Sequence, residues 1–174
     1  MAEAALEIRR LQSADLAAYK ALRDATLADD PSAFTSDAET ESHKAPDAYL
    51  PRLGLDAPLG GVFTIGALRD GTLLGGVSCE RDKRIKVRHI GHIVGMMVRA
   101  DQRGQGIGRL LFDACIAEAR RGVGVEMLTL TVTASNAGAV GLYERAGFVR
   151  YGSLPRAIKV GDRYHAKDQM VLTL

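Results

Sequence analysis

Residues 96–109 read Met96-Met97-Val98-Arg99-Ala100-Asp101-Gln102-Arg103-Gly104-Gln105-Gly106-Ile107-Gly108-Arg109, and this stretch decides the fold. It ends an extended run over residues 87–98 in which Ile90, His92, Val94, Met96 and Val98 share one face and the apolar residues between them share the other. Such a run predicts a strand covered on both sides and central in its sheet. On the other side, Leu110, Leu111, Ala114, Cys115, Ala117 and Glu118 carry a helix to about Arg121, where Gly122 ends it. Gly104, Gly106 and Gly108 therefore alternate where a strand hands over to a helix. A helix N-terminus offers free backbone N–H groups and a partial positive charge. Glycine lets an anion approach them closely, and Arg103 and Arg109 add charge on either side. The spacing excludes a dinucleotide fingerprint, because Arg109 stands where the last glycine of G-x-G-x-x-G would be, and no Gly-Lys-Ser/Thr closes a phosphate loop. Glycines kept only for close packing of helix on strand are the alternative reading.

Working outward, residues 62–68 and 72–80 are β-rich runs joined by Asp70-Gly71, a two-residue hairpin signal. Residues 125–132 form another strand, Ser135-Asn136 caps a short helix holding Val140, Leu142 and Tyr143, and Gly147 stops it. Residues 148–154 and 163–174 close the chain as two strands around Gly161-Asp162. Upstream, Leu6, Ile8 and Leu11 begin a first strand, Ser13 is the expected N-cap of a helix, and Leu16, Tyr19 and Leu22 recur at helical spacing. Residues 29–59 are polar and broken by Pro31, Pro46, Pro51 and Pro58, with a short helix expected over 47–53. The order β-α-α-β-β-β-α-β-α-β-β predicts one α/β (α+β) domain over residues 1–174. Its mixed, mostly antiparallel sheet has six to seven strands flanked by about four helices.

Composition bounds the rest. With 47% hydrophobic and 25% charged residues in 174, the chain is neither disordered nor membrane-embedded in character, and a net charge of +2 names no polyanionic partner. Cys79 and Cys115 lie in apolar surroundings with no C-x-x-C or Cys/His cluster, so two buried thiols are expected and a zinc site is not. The N-terminal residues 1–11 lack the apolar run of a signal peptide, and no stretch approaches ~18 apolar residues, so a cytoplasmic protein without membrane contact is expected.

Arg103-Gly104-Gln105-Gly106-Ile107-Gly108 resembles the R/Q-x-x-G-x-G/A motif of the GNAT superfamily of acyl-CoA-dependent N-acetyltransferases. Asn136, Ala139, Leu142-Tyr143-Glu144 and Gly147-Phe148 match that family's N-x-x-A-x-x-L-Y-x-x-x-G-F pattern, in the right order and spacing. The resemblance covers residues 87–148, and Ala100, where many members carry Pro, is a small departure. It implies acetyl-CoA as co-substrate and no metal. The CoA contacts it implies are Met96, Met97 and Val98 at the end of the central strand, Arg103, Gly104, Gln105, Gly106, Ile107, Gly108 and Arg109 in the loop, and Asn136 and Tyr143 beyond. The acceptor would be a small-molecule or protein amine that attacks the thioester directly in a ternary complex, and the protein would be a monomer or homodimer with no nucleic acid partner. A CoA-binding regulatory or sensor module without turnover is the rival reading.

In the resembling enzymes the tyrosine corresponding to Tyr143 lies near the CoA sulfur, where a phenol can protonate the departing thiolate. An alkylammonium of pKa near ~10 must lose a proton before it attacks, so a base or a water chain is needed. His92 stands where histone-acetylating members carry a glutamate base, and imidazole titrates near neutrality. Glu80, at the end of the preceding strand, is the second candidate. His43, His89 and His165 read as surface residues, and Lys83, Arg84, Lys86 and Arg88 as a solvated face without aromatic platforms. Tyr151, Arg156, Lys159, Tyr164 and Lys167 in the last hairpin are expected to border the acceptor pocket.

Overall fold

The computed structural model describes residues 5–174. Its elements run β1 (Glu7–Arg10), α1 (Leu16–Asp29), α2 (Ala38–Ser42), β2 (Phe63–Arg69), β3 (Thr72–Arg81), β4 (Ile90–Val98), α3 (Ile107–Ala119), β5 (Met127–Thr133), α4 (Ala137–Arg145), β6 (Val149–Val160) and β7 (Arg163–Thr173), with a 3-10 segment at Pro46–Leu53. The seven strands form one sheet ordered β1-β2-β3-β4-β5-β7-β6. Every neighbouring pair is antiparallel except β4 with β5. This is the α/β architecture expected from the order of elements. Within residues 29–59 the polar sequence still makes α2, whose first turn is capped by Asp37 accepting from the Thr40 N–H at 2.8 Å. The expected cap at Ser13 is a correction: that residue lies within a 3-10 turn, and the Asp15 carboxylate binds the Gln12 N–H at 2.7 Å instead.

Each face of the sheet carries its own core. Ile93, Ile107, Leu111, Phe112, Leu128, Tyr143 and Phe148 pack between the sheet and α3 and α4. On the other face Leu16, Tyr19, Leu22, Tyr49, Leu53 and Met97 pack with α1 and the 3-10 segment. Cys79 and Cys115 are free and fully buried in the first core, and burial pushes the Cys79 thiol up to about 12. Among the described residues no helix is long and apolar enough to cross a membrane.

One irregularity in β4 positions the site. Gly76 pairs with Met97 and Ser78 with Val94, so Gly95 and Met96 together oppose Val77. This is a bulge, and Gly95 adopts φ +62, a conformation glycine enters without steric cost. The extra residue reverses the alternation. Met96 and Val98 therefore join Ile93 against α3, and Met97 enters the α1 core. The simple period-2 reading, which put His92, Val94, Met96 and Val98 on one face, fails at this bulge.

Beyond the bulge the sheet opens. Strands β4 and β5 pair only at Ile90↔Met127, Gly91↔Leu128 and His92↔Thr129. β5 continues alongside β7 as far as Thr133↔Lys167, leaving the C-terminal half of β4 without a neighbour on that edge.

Candidate functional site

A cleft of about 570 Å³ occupies the opening between the two parting strands, with residues 93–98 on one wall and Leu130, Thr131 and Val132 on the other. The Arg99 N–H binds the Leu74 carbonyl at 2.8 Å, so the alternation of an antiparallel ladder turns the polar groups of Val98 away from β3 and toward the open edge. There the Val98 carbonyl accepts from Arg103 Nε at 3.2 Å. Backbone groups along an edge with no strand beside it can bond an extended amide-bearing ligand.

On the α3 and α4 side the cleft is bounded by Gln102, Arg103, Gly104, Ile107 and Gly108 of the glycine loop and by Asn136, Ala139, Leu142 and Tyr143 of α4. Gly104 and Gly106 have φ +78 and +79, and a Cβ built on either meets nothing within 4 Å. The loop therefore needs glycine for its path, and the space over it is free for a ligand to come close. Gly106 is the N-cap of α3, and the first backbone bond of that helix runs from the Leu110 N–H to the Gly106 carbonyl. The N–H groups of Ile107, Gly108 and Arg109 are left without helical acceptors, which suits them to an anion. These residues fit a CoA diphosphate.

Not every predicted contact faces the cleft. Gln105, Gly106 and Arg109 are outside its wall, and the Arg109 side chain is 79% exposed, 3.6 Å from Asp113 one turn on. Asn136 lines the cleft, yet its side chain already caps α4, accepting from the Ala139 N–H at 3.1 Å. Tyr143 is buried between Phe112 and Phe148, its ring 4.8 Å and 6.4 Å from theirs. Burial pushes its phenol well above the ordinary range, so it holds its proton throughout the physiological range. Among the described residues no hydrogen bond engages its hydroxyl, which leaves the group free for a ligand in the cleft.

His92 lies outside the cleft wall, exposed, with Nδ1 2.7 Å from Thr129 Oγ1. Its register partner is Glu80, whose carboxylate sits 3.3 Å from Arg52 Nε. The pair therefore occupies the closed end of the opening, on the α1 face. In the last hairpin only Lys167 reaches the cleft, with Nζ 2.6 Å from Thr35 Oγ1 and 3.3 Å from Thr131 Oγ1. Burial lowers its pKa. Tyr151, Arg156, Lys159 and Tyr164 do not line it: past Leu154 the register of β6 shifts and the hairpin tip pairs only with itself, while Arg156 and Lys159 stack on Tyr164. The basic run at residues 83–88 is an exposed turn in which Arg84 pairs with Asp82.

The α1 face of the cleft holds residues that sequence reading did not single out. Arg23 is 4% exposed, with Nε 2.9 Å from Glu41 Oε2 and Nη2 3.0 Å from Ser36 Oγ. Glu41 also accepts from Lys44 and from the Tyr49 hydroxyl. Burial alone would raise this carboxyl, but the bonds from Lys44, Tyr49 and Arg23 prevail and hold it at about 2. Arg52 donates from Nη1 to the Tyr19 hydroxyl at 3.2 Å. The signal for Arg23 was available: with Leu16, Tyr19, Lys20, Thr26 and Leu27 it falls on the buried stripe of α1. Gln102 Oε1, at the entrance to the glycine loop, is buried without a hydrogen-bond partner among the described residues. No cluster of three or more His, Cys, Asp or Glu among them could hold a metal ion.

Comparison with known proteins agrees with this geometry. Residues 19–148 match the acetyltransferase (GNAT) family. N-alpha-acetyltransferase 30 of Schizosaccharomyces pombe is 31% identical over 94 residues, 54% of this chain and 62% of that protein. The L-methionine sulfoximine/L-methionine sulfone acetyltransferase of Pseudomonas aeruginosa is 37% identical over 67 residues, 38% of this chain and 37% of that protein. The chain thus spans less than two thirds of the length of these curated relatives. A GNAT-family acetyltransferase from Streptococcus pneumoniae superposes with TM-score 0.83 at 26% identity, covering 98% of this chain and 99% of that one. The yncA protein of Salmonella typhimurium, solved with acetyl-CoA, has the same fold, with TM-score 0.82 at 23% identity over 97% of this chain and 94% of that one. The chain belongs to the GNAT acetyltransferase family.

Proposed function

We propose that the protein transfers an acetyl group from acetyl-CoA to a primary amine by direct attack in a ternary complex. The observation that carries this reading is the unpaired inner edge of β4, which opens opposite the glycine loop and beside a buried tyrosine. The 103–109 loop and the N-terminal N–H groups of α3 hold the diphosphate, and the edge of β4 pairs with the amides of the pantetheine arm. Backbone N–H groups on that edge polarise the thioester carbonyl, the oxygen on which charge develops. Tyr143 donates its hydroxyl hydrogen to the departing sulfur. Glu80 and His92, at the closed end on the acceptor face, pass the amine proton to solvent through water.

Release of free thiol from acetyl-CoA across a panel of amines tests the reading. Bound CoA with no thiol release from any amine would favour a sensor module instead. Tyr143→Phe is expected to lower kcat about 100-fold at saturating acetyl-CoA and to leave cofactor affinity unchanged. This is the low end for general acid catalysis, since a thiolate is already a fair leaving group and a buried phenol is a weak acid. A kcat within about threefold of wild type at every pH would leave Tyr143 as a wall of the channel only.

A further inference from the structure

We propose that the acceptor is an amine bearing a carboxylate on the same carbon, a free α-amino acid, and that Arg52 and Arg23 receive the carboxylate over the bulge of β4. The inference rests on the transferase reading and names the substrate class of that site.

The cleft wall carries four cations, Arg23, Arg52, Arg103 and Lys167, against one carboxylate, Asp30. Arg103 is accounted for by the glycine loop, where it is tied to the Val98 carbonyl. The other three lie on the opposite side of the sheet, where an acceptor must enter. Two of them converge on one point. A Cβ built on Gly95 would lie 3.3 Å from Arg52 Nη1, 3.5 Å from the Tyr19 hydroxyl and 3.9 Å from Arg23 Nη1. Gly95, bare of a side chain, thus lets two guanidinium groups and a phenol close together against the bulge. The surroundings fix those donors: Arg23 is braced by Glu41 and Ser36, Arg52 by Glu80, and both stack on Tyr49 at 5.6 Å and 5.9 Å.

Arginine forks match a carboxylate in shape and charge. A simple alkylammonium has no carboxylate to offer the two guanidinium forks, and Asp30 is the one carboxylate of the wall it would meet. An α-amino acid offers its carboxylate to the arginines and sets its nitrogen beside the strand edge along which the thioester runs.

The test compares each of L-methionine, L-phenylalanine and L-glutamate with its carboxamide and its decarboxylated amine, reading thiol release as kcat/KM. In wild type at least one free amino acid is expected to exceed both its counterparts by about 100-fold, through KM, and Arg52→Gln is expected to bring that ratio close to unity, with Arg52→Lys restoring part of it. Carboxamides or amines that match or exceed the free amino acids in wild type would overturn the proposal. So would an Arg52→Gln variant that slows all three members of a set equally. A second readout needs no turnover. Calorimetric titration of N-acetylmethionine and of the N-acetyl derivative of 3-(methylthio)propylamine, with and without CoA, should show binding of the carboxylate compound alone, lost in Arg52→Gln. Absence of thiol release from every amine removes the transferase reading, and this titration then decides the acceptor class by itself; equal binding of the two compounds, or none, overturns it.

Discussion

Gly106→Val is expected to weaken CoA binding about 100-fold or more in a protein that still folds. Gly106 has φ +79, so a β-branched residue there is strained by roughly 1–2 kcal/mol, but no atom stands within 4 Å of the new Cβ. The loss falls instead on the ligand. The side chain would stand in the open space at the N-terminus of α3, whose free N–H groups receive the phosphate under the proposed function. Gly106→Asn separates the two effects, because Asn tolerates the left-handed region yet still carries bulk. Calorimetric titration of CoA into both variants, with melting curves alongside, measures affinity and stability separately. Wild-type affinity in a folded Gly106→Val variant would remove the loop from the site.

Glu41→Ala should cost about 3–5 kcal/mol of stability, the usual consequence of stranding a buried charge. Glu41 and Arg23 are each 4% exposed, and the carboxylate also accepts from Lys44 and Tyr49, so its removal leaves a guanidinium and a phenol without their shared acceptor. The pH dependence has a definite sign. A carboxyl held at about 2 in the folded chain against an ordinary 4.5 contributes stability that is fully present above 4.5 and disappears as pH falls toward 2. That linkage amounts to roughly 3 kcal/mol, since one pKa unit is about 1.4 kcal/mol. Urea unfolding of wild type and Glu41→Gln should therefore show a gap at pH 7 that narrows steadily below pH 4.5. A gap independent of pH would mean that Glu41 acts through packing and not through its charge.

The parts of the site that could be read in the chain are those built from neighbours in sequence. The loop at 103–108 and the Asn136 to Tyr143 turn each lie within one strand-to-helix or helix segment, so spacing alone carries their geometry. Arg23, Glu41 and Arg52 come from three separate segments, and what unites them is the packing of α1, α2 and the 3-10 segment over one face of the sheet. No local period reports that. Gly95 was legible in principle, because glycine inside a strand marks a bulge. An uninterrupted period-2 count runs through a residue that reverses it, and so groups Met96 and Val98 with His92 and Val94 where the fold sets them with Ile93. The last hairpin misled for a related reason: strand length is easy to see in sequence, but not where a strand outruns its sheet.

Three register pairs join β4 to β5, so the sheet behaves as two panels, β1 through β4 and β5 with β7 and β6, sewn together along a short seam. Helix α3 packs over β2, β3 and β4, and its Phe112 meets Tyr143 of α4 and Phe148 at the start of the second panel. A ligand lying in the gap is then a removable strand as well as a reactant. Under the proposed function its presence would carry the backbone ladder nearly unbroken across the molecule, and its departure would hand the edge of β4 back to water. Amide protons at the inner end of β4 should consequently exchange at a rate set by how long the gap stays filled, while those of β2 and β3 answer only to global unfolding.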